Sequence, residues 1–162
     1  NGDSYSHSAQ VQVDYQLMRR FDLRIAYRWL DVRTDYLKGV MARPLIAKHR
    51  AFANLAYETK NSWKFDYTIQ WLGDQRIPDT SMNPTGYQLP ATAADYVLMN
   101  AQITKDFTNR WSAYLGMENI NNFTLNRPII SSEEPFSEYF DSSLVWGPIF
   151  GRMAYAGFRY RM

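Results

Sequence analysis

The sequence predicts an all-β fold, an antiparallel transmembrane β-barrel fragment of about seven strands. Three observations predict it. Seven segments alternate apolar and polar residues, so each has one greasy and one wet face at the side-chain period of a strand. The connections between them run short, long, short, long, short, longest. Aromatic residues, 16% of the 162 and comprising 12 Tyr, 9 Phe and 5 Trp, gather at the segment ends. A membrane barrel sorts short turns to one side and long loops to the other, and sets aromatic girdles at both interfaces. A soluble β-sandwich or calycin-like barrel shares the alternation but has no reason to sort its turns.

The first strand, residues 8–17, sets Ala9, Val11, Val13, Tyr15 and Leu17 against Gln10, Gln12, Asp14 and Gln16. A tight turn at Met18-Arg19-Arg20 leads to the second, residues 21–32, with Phe21, Leu23, Ile25, Tyr27 and Trp29 on one face and Asp22, Arg24 and Arg28 on the other. A medium loop over 33–48 contains Gly39 and Pro44. The third strand, residues 50–58, turns Ala51, Ala53, Leu55 and Tyr57 outward against Arg50, Asn54 and Glu58, with Phe52 an exception on the wet face. Thr59-Lys60-Asn61-Ser62 is rich in turn formers.

The fourth strand, residues 63–71, alternates most cleanly: Trp63, Phe65, Tyr67, Ile69 and Trp71 against Lys64, Asp66, Thr68 and Gln70. Pro78, Pro84 and Pro90 then forbid a central strand across a long loop, 74–94. The fifth strand, 96–104, carries Val97, Met99, Ala101 and Ile103 outward, and the sixth, 111–118, carries Trp111, Ala113, Leu115 and Met117. The longest loop, 119–151, precedes a last strand over 152–162, where Ala154, Ala156, Phe158, Tyr160 and Met162 share one face and Arg159 and Arg161 the other.

No stretch approaches the ~20 apolar residues of a membrane helix. The net charge of +2, spread along strands, points away from nucleic acid. The absence of cysteine removes disulfides, thiolate metal sites and cysteine nucleophiles. Two distant histidines, His7 and His49, do not make a metal site. Seven strands is an odd number, and an unpaired edge cannot lie in lipid. The chain is therefore expected to be part of a larger barrel.

Ile25, Ile69, Val97 and Leu115 are expected to face lipid. Arg24, Arg28, Asp66, Arg159 and Arg161 are expected in the lumen, against one another across strands. Trp146, with Tyr139 and Phe140 in the same loop, forms the candidate ligand-stacking set. Glu133, Glu134, Glu138 and Asp141 lack EF-hand spacing and read as a solvated acidic loop. No catalytic residue, metal or cofactor is read. His7 beside Ser6 and Ser8 leaves one rival from another class, an outer-membrane barrel hydrolase, although no acidic orienter stands at a recognisable spacing. A soluble lipocalin-like binder is the other rival.

From Tyr114 onward the chain resembles the C-terminal part of a TonB-dependent outer-membrane receptor of the kind common in Bacteroidetes. The resemblance rests on Gly116-Met117-Glu118-Asn119-Ile120-Asn121-Asn122, Pro128-Ile129-Ile130, Tyr139-Phe140-Asp141, Val145-Trp146-Gly147-Pro148, Gly151-Arg152 and Tyr155-Ala156-Gly157-Phe158-Arg159-Tyr160. It extends over the whole chain in strand layout and is specific in the last third. Met162 departs from it, standing where an aromatic is usual. The resemblance implies the last seven strands of a 22-stranded barrel with a plugged lumen, the plug being absent from this chain and facing Arg24, Arg28, Asp66, Arg159 and Arg161. It implies active uptake of a scarce, bulky nutrient such as a ferric siderophore, haem or cobalamin. The implied partners are outer-membrane lipid, the rest of the receptor barrel and plug, the TonB energy-coupling complex and a surface lipoprotein.

Overall fold

A computed structural model describes residues 2–162. Its strands are β1 (Tyr5–Met18), β2 (Phe21–Tyr36), β3 (Gly39–Ala42), β4 (His49–Glu58), β5 (Trp63–Leu72), β6 (Gln75–Arg76), β7 (Thr92–Ala93), β8 (Tyr96–Asp106), β9 (Trp111–Glu118) and β10 (Met153–Tyr160), with one turn of 3-10 helix at Thr85–Tyr87. Seven long strands pair in the order β1-β2-β4-β5-β8-β9-β10, every neighbour antiparallel. Among the described residues no ladder joins β1 to β10, so the sheet is an open, partial barrel.

Cross-strand partners share a face, so the register tests the alternation directly. One row reads Val13, Ile25, Ala53, Ile69, Met99, and the next Leu23, Leu55, Tyr67, Ala101, Met117. Val11 and Val97 lie in the adjoining row with Tyr27, Ala51 and Trp71, and Leu115 lies with Phe65 and Ile103. All of the predicted lipid-facing residues therefore lie on one surface. No second layer covers it among the described residues: Val11 and Leu115 are each 59% exposed and Ile25 47%. The rival in which this face packs inside a soluble sandwich has no second sheet to use.

Aromatics border that surface at both ends. On the tight-turn side the Phe21 and Tyr57 rings meet edge-on at 5.9 Å, and Trp111 lies 4.7 Å from Tyr160. On the long-loop side Tyr27, His49 and Trp71 stack, with the Tyr27 hydroxyl 2.7 Å from His49 Nδ1. Trp63 and Trp71 are eight residues apart, roughly 26 Å along the strand, which at a 40° tilt sets the two borders roughly 20 Å apart. His49 is thus a girdle residue.

The tight turns close without glycine. Arg20 and Ser62 take left-handed conformations at φ 68° and 58°. Thr59 Oγ1 accepts the Trp63 N–H at 3.0 Å, and Thr108 Oγ1 accepts those of Arg110 and Trp111 at 3.1 and 3.0 Å. Glycine is used instead on the wet face of the last hairpin. Gly157 faces Tyr114 and Gly116 faces Tyr155, so each ring lies over a glycine. A Cβ on Gly157 would stand 2.6 Å from Tyr114 Cζ. Gly157→Val is expected to displace that ring and cost ~1–3 kcal/mol, the range for overpacking, read from urea unfolding in lipid vesicles.

Three expectations need correction. β1 begins at Tyr5 rather than residue 8, and Asn1 lies outside the described residues. β2 does not stop at 32 but runs to Tyr36 and folds back on β3 about Gly39 at φ 104°. The 74–94 loop contains a two-residue ladder, β6 with β7. These pieces lie beyond the long-loop girdle, where water satisfies backbone groups and pairing needs no apolar alternation.

Candidate functional site

Two surfaces carry side chains in arrangements beyond those the ladder requires: the wet inner wall, and a cap built from the long loops.

The inner wall reads in rows. Gln10, Arg28, Arg50, Leu72 and Tyr96 form the row nearest the long loops. Below it stand Gln12, Ala26, Phe52, Gln70 and Leu98, and then Asp14, Arg24, Asn54, Thr68 and Asn100. This face is concave. It bounds a cavity of about 510 Å³ lined by Gln10, Arg24, Arg28, Arg50, Phe52 and Gln70 among others, with Ala26, only 5% exposed, at its floor. Phe52, the exception in its strand, is a wall residue of that cavity.

The five predicted lumen residues do not form one cluster. Arg24 is ion-paired with Asp14 across β1 and β2. Asp66 lies between Ala56 and Gln102, while its neighbour Lys64 pairs with Asp106 at 2.9 Å. Arg159 stands opposite Ser112 at the far end, and Arg161 lies past the end of β10 with its backbone N–H on the Arg110 carbonyl. Arg28 is the one with an unforeseen partner. It faces Arg50 directly across β2 and β4, and neither guanidinium has an acidic partner among the described residues. Like charges set directly opposite destabilise a sheet. Arg50 was visible as a wet-face residue of its strand, but only the register sets it against Arg28.

The cap has its own core. Ile77, Ala93, Ile130 and Trp146 are buried together, and Leu45, Leu89 and Leu125 pack on them. The expectation that Trp146 offers an exposed stacking face is corrected here: Trp146 is 3% exposed. Its carbonyl accepts the Gln75 side-chain amide, and its N–H reaches the Pro128 carbonyl at 3.3 Å. It joins the two long loops from inside. Tyr139 and Phe140 are half-buried. Tyr139 stacks on Tyr87 at 5.0 Å, and the Tyr87 hydroxyl donates to Glu134 at 2.5 Å. Tyr87 had no signal in its surrounding sequence.

The Glu118-Asn119-Ile120-Asn121-Asn122 run is a clasp. Asn119, 7% exposed, donates its amide to the Phe123 and Phe150 carbonyls at 2.7 and 3.1 Å and accepts the Phe123 N–H at 2.9 Å. Asn121 occupies the β8 edge beyond β9, donating to the Val97 carbonyl and accepting from the Met99 N–H. Asn122 Oδ1 accepts the Arg152 N–H at 2.9 Å. These asparagines hold both ends of the longest loop together.

The acidic residues of that loop are engaged separately. Arg127 pairs with Glu133 at 3.1 Å and holds its carboxyl below the usual range. Lys38 similarly ties Asp79 at 2.8 Å, holding the Asp79 carboxyl far below the carboxylate norm. A carboxyl with a lowered folded-state pKa contributes fully above its ordinary pKa and loses that contribution as pH falls through the lowered value. The tethers at Glu133 and Asp79 are thus expected to hold at neutral pH and to loosen on acidification below pH ~4. Amide exchange of residues 79–81 and 131–134 at stepped pH checks this. Unchanged exchange down to pH ~2 would count against it.

The hydrolase constellation does not assemble. Ser6 and His7 are consecutive strand residues, as are His7 and Ser8, so the serines project to the face opposite His7. Asp31, across from His7, is taken by Arg33 at 3.1 Å.

No family model and no curated protein matches the sequence. Solved structures do. The ferric citrate transporter FecA in its unliganded form superposes with a TM-score of 0.66 at 14% identity, over 96% of this chain and 24% of that one. The ferric-catecholate import receptor Fiu of E. coli K12 superposes in its closed form with a TM-score of 0.64 at 10% identity, over 94% of this chain and 20% of that one. Its open form gives 0.53, also at 10% identity, over 95% and 26%. The chain therefore spans about a fifth to a quarter of the receptors it matches, and shares their fold over that part. Both are named as a transporter or a receptor, not as enzymes.

Proposed function

We propose that this chain is the C-terminal portion of the barrel of a TonB-dependent outer-membrane receptor, and that the whole protein takes up a scarce, bulky nutrient. The observation that carries the reading is the two-faced sheet. Among the described residues its apolar face is uncovered and bordered by two aromatic girdles, while its wet face is concave and carries Gln10, Arg24, Arg28, Arg50 and Gln70 around the cavity. A lipocalin-like binder would invert this, with the apolar face inside. Ile25, Ile69, Val97 and Leu115 then meet lipid, and the wet wall meets a plug supplied from elsewhere in the parent protein. Arg28 and Arg50, left without acids, are the wall's best electrostatic contacts for that plug, ahead of the paired Arg24. Asp66, Arg159 and Arg161 are lesser ones.

Among cargoes, a ferric siderophore or another ferric chelate fits the two similar receptors by name, and haem and cobalamin share the bulk. Tyr139 and Phe140, presented by the cap, are the ligand-contacting candidates in this chain. The energy source is the TonB complex, engaged by the parent protein, with a surface lipoprotein as a further partner. Uptake of labelled ferric chelates, haem and cobalamin is compared in the source bacterium with and without the parent gene. Loss of uptake of one cargo, restored by the intact gene and abolished by removing TonB, is the expected result. Recovery of the parent protein in a soluble fraction would end the reading.

A further inference from the structure

The tight-turn end has a charge pattern that the ladder does not use and that, Arg161 apart, lies off the inner wall. Arg19 stands in the β1–β2 turn, Lys60 in the β4–β5 turn, Arg110 in the β8–β9 turn and Arg161 just past β10. All four are exposed, and none is ion-paired among the described residues. Residues 19–20, 59–62, 107–110 and 161–162 contain no aspartate or glutamate. The acids nearest these tips, Asp22, Glu58 and Asp106, belong to the inner wall, where Asp106 is taken by Lys64. The long-loop end carries both signs and pairs them, as Lys38 with Asp79 and Arg127 with Glu133. The asymmetry is therefore local and does not follow from general basicity.

The same turns carry the exposed aromatic girdle: Trp63, Phe107, Trp111 and Tyr160. Lys105 lies over the Trp63 ring at 5.3 Å and donates to the Asn61 carbonyl. Interfacial Trp and Tyr sit at the level of lipid headgroups. Cations one to three residues beyond them stand at the level of the phosphates. Arg110 and Arg161 stand side by side, the Arg161 N–H on the Arg110 carbonyl, and share one headgroup, whereas the Arg19, Lys60 and Arg110 turns are set off from one another by two strand spacings, roughly 10 Å, so each turn meets its own headgroup. We propose that the tight-turn rim is a docking surface for anionic phospholipid headgroups of the adjoining leaflet, one phosphate to each turn. This rests on the membrane reading above and names a partner that reading leaves open.

The full parent protein is reconstituted into nanodiscs of mixed phosphatidylglycerol and phosphatidylcholine, and retained lipids are counted by native mass spectrometry. Wild type is expected to retain phosphatidylglycerol over phosphatidylcholine by about fivefold per contact, the equivalent of the roughly 1 kcal/mol a juxtamembrane cation contributes. The combined variant Arg19→Gln, Lys60→Gln, Arg110→Gln, Arg161→Gln should lose the preference. A control, Lys38→Gln with Arg43→Gln and Lys48→Gln at the other end, should keep it, and raised salt should weaken it in wild type. Barrel folding of each variant is checked by its mobility in unheated gels. No headgroup preference in wild type, or a preference that survives the four tight-turn substitutions, overturns the proposal. So does a variant that loses an acidic protein partner while its lipids stay unchanged. Failure of the protein to partition into membranes would overturn the parent reading instead.

Discussion

Ile69→Arg is expected to destabilise the parent barrel by ~2–4 kcal/mol, whereas Gln70→Arg, one residue along, is expected to cost on the order of 0.5 kcal/mol. Ile69 lies in an all-aliphatic row, with Val13, Ile25, Ala53 and Met99, between the two girdles. A guanidinium there must be dragged into hydrocarbon or reach past Trp71 to the interface. Gln70 faces the open cavity of the inner wall, where a cation stays hydrated and loses only a little to the nearby Arg50. Urea titration of both variants refolding into phosphatidylcholine vesicles measures the difference. Equal costs, or a larger cost at Gln70, would mean that the apolar face does not meet lipid.

The face assignment behind that result was legible in the sequence because a strand has a period of two. Trp63 to Trp71 alternates without a fault, and one such strand fixes which face every neighbour shares. Strand ends were less legible. Arg33-Thr34-Asp35-Tyr36 shows no apolar rhythm, because β2 has passed the aromatic border there and pairs with β3 through its backbone ladder. Register was not legible either. Arg28 and Arg50 are each wet-face residues in sequence, but their confrontation depends on how the β2–β4 connection closes. The cap was the least legible part. Ile77, Ala93, Ile130 and Trp146 come from two loops separated by two full strands, so no local pattern marks them as a core. An aromatic in a long polar loop reads as exposed unless its distant partners are known, and Trp146 was misread for that reason.

Trp146→Ala is expected to take apart the cap and leave the sheet standing. The side chain is 3% exposed among Ile77, Ala93 and Ile130, and the backbone beside it holds Gln75 and Pro128 in place. Deleting a buried tryptophan costs ~3–5 kcal/mol. The cap core has only four buried side chains and three partners, and loops of this kind sit at the low end of local stability. A loss of that size is comparable to the whole of what holds the two loops together. The sheet has a separate source of stability in its backbone ladders, so the damage should stop at the clasp formed by Asn119 and Asn121. Amide exchange of residues 75–93 and 128–147 should accelerate roughly 100-fold or more by the same energy, while β4, β5 and β8 keep their protection. Phe136→Ala, in the same loop but fully exposed, should change neither. If cargo binds at Tyr139 and Phe140, the Trp146 variant should also lose cargo affinity without losing its place in the membrane, because Tyr139 is held against Tyr87 across the same pair of loops. Retained protection of both loops in Trp146→Ala would show that the cap is held by something other than this core.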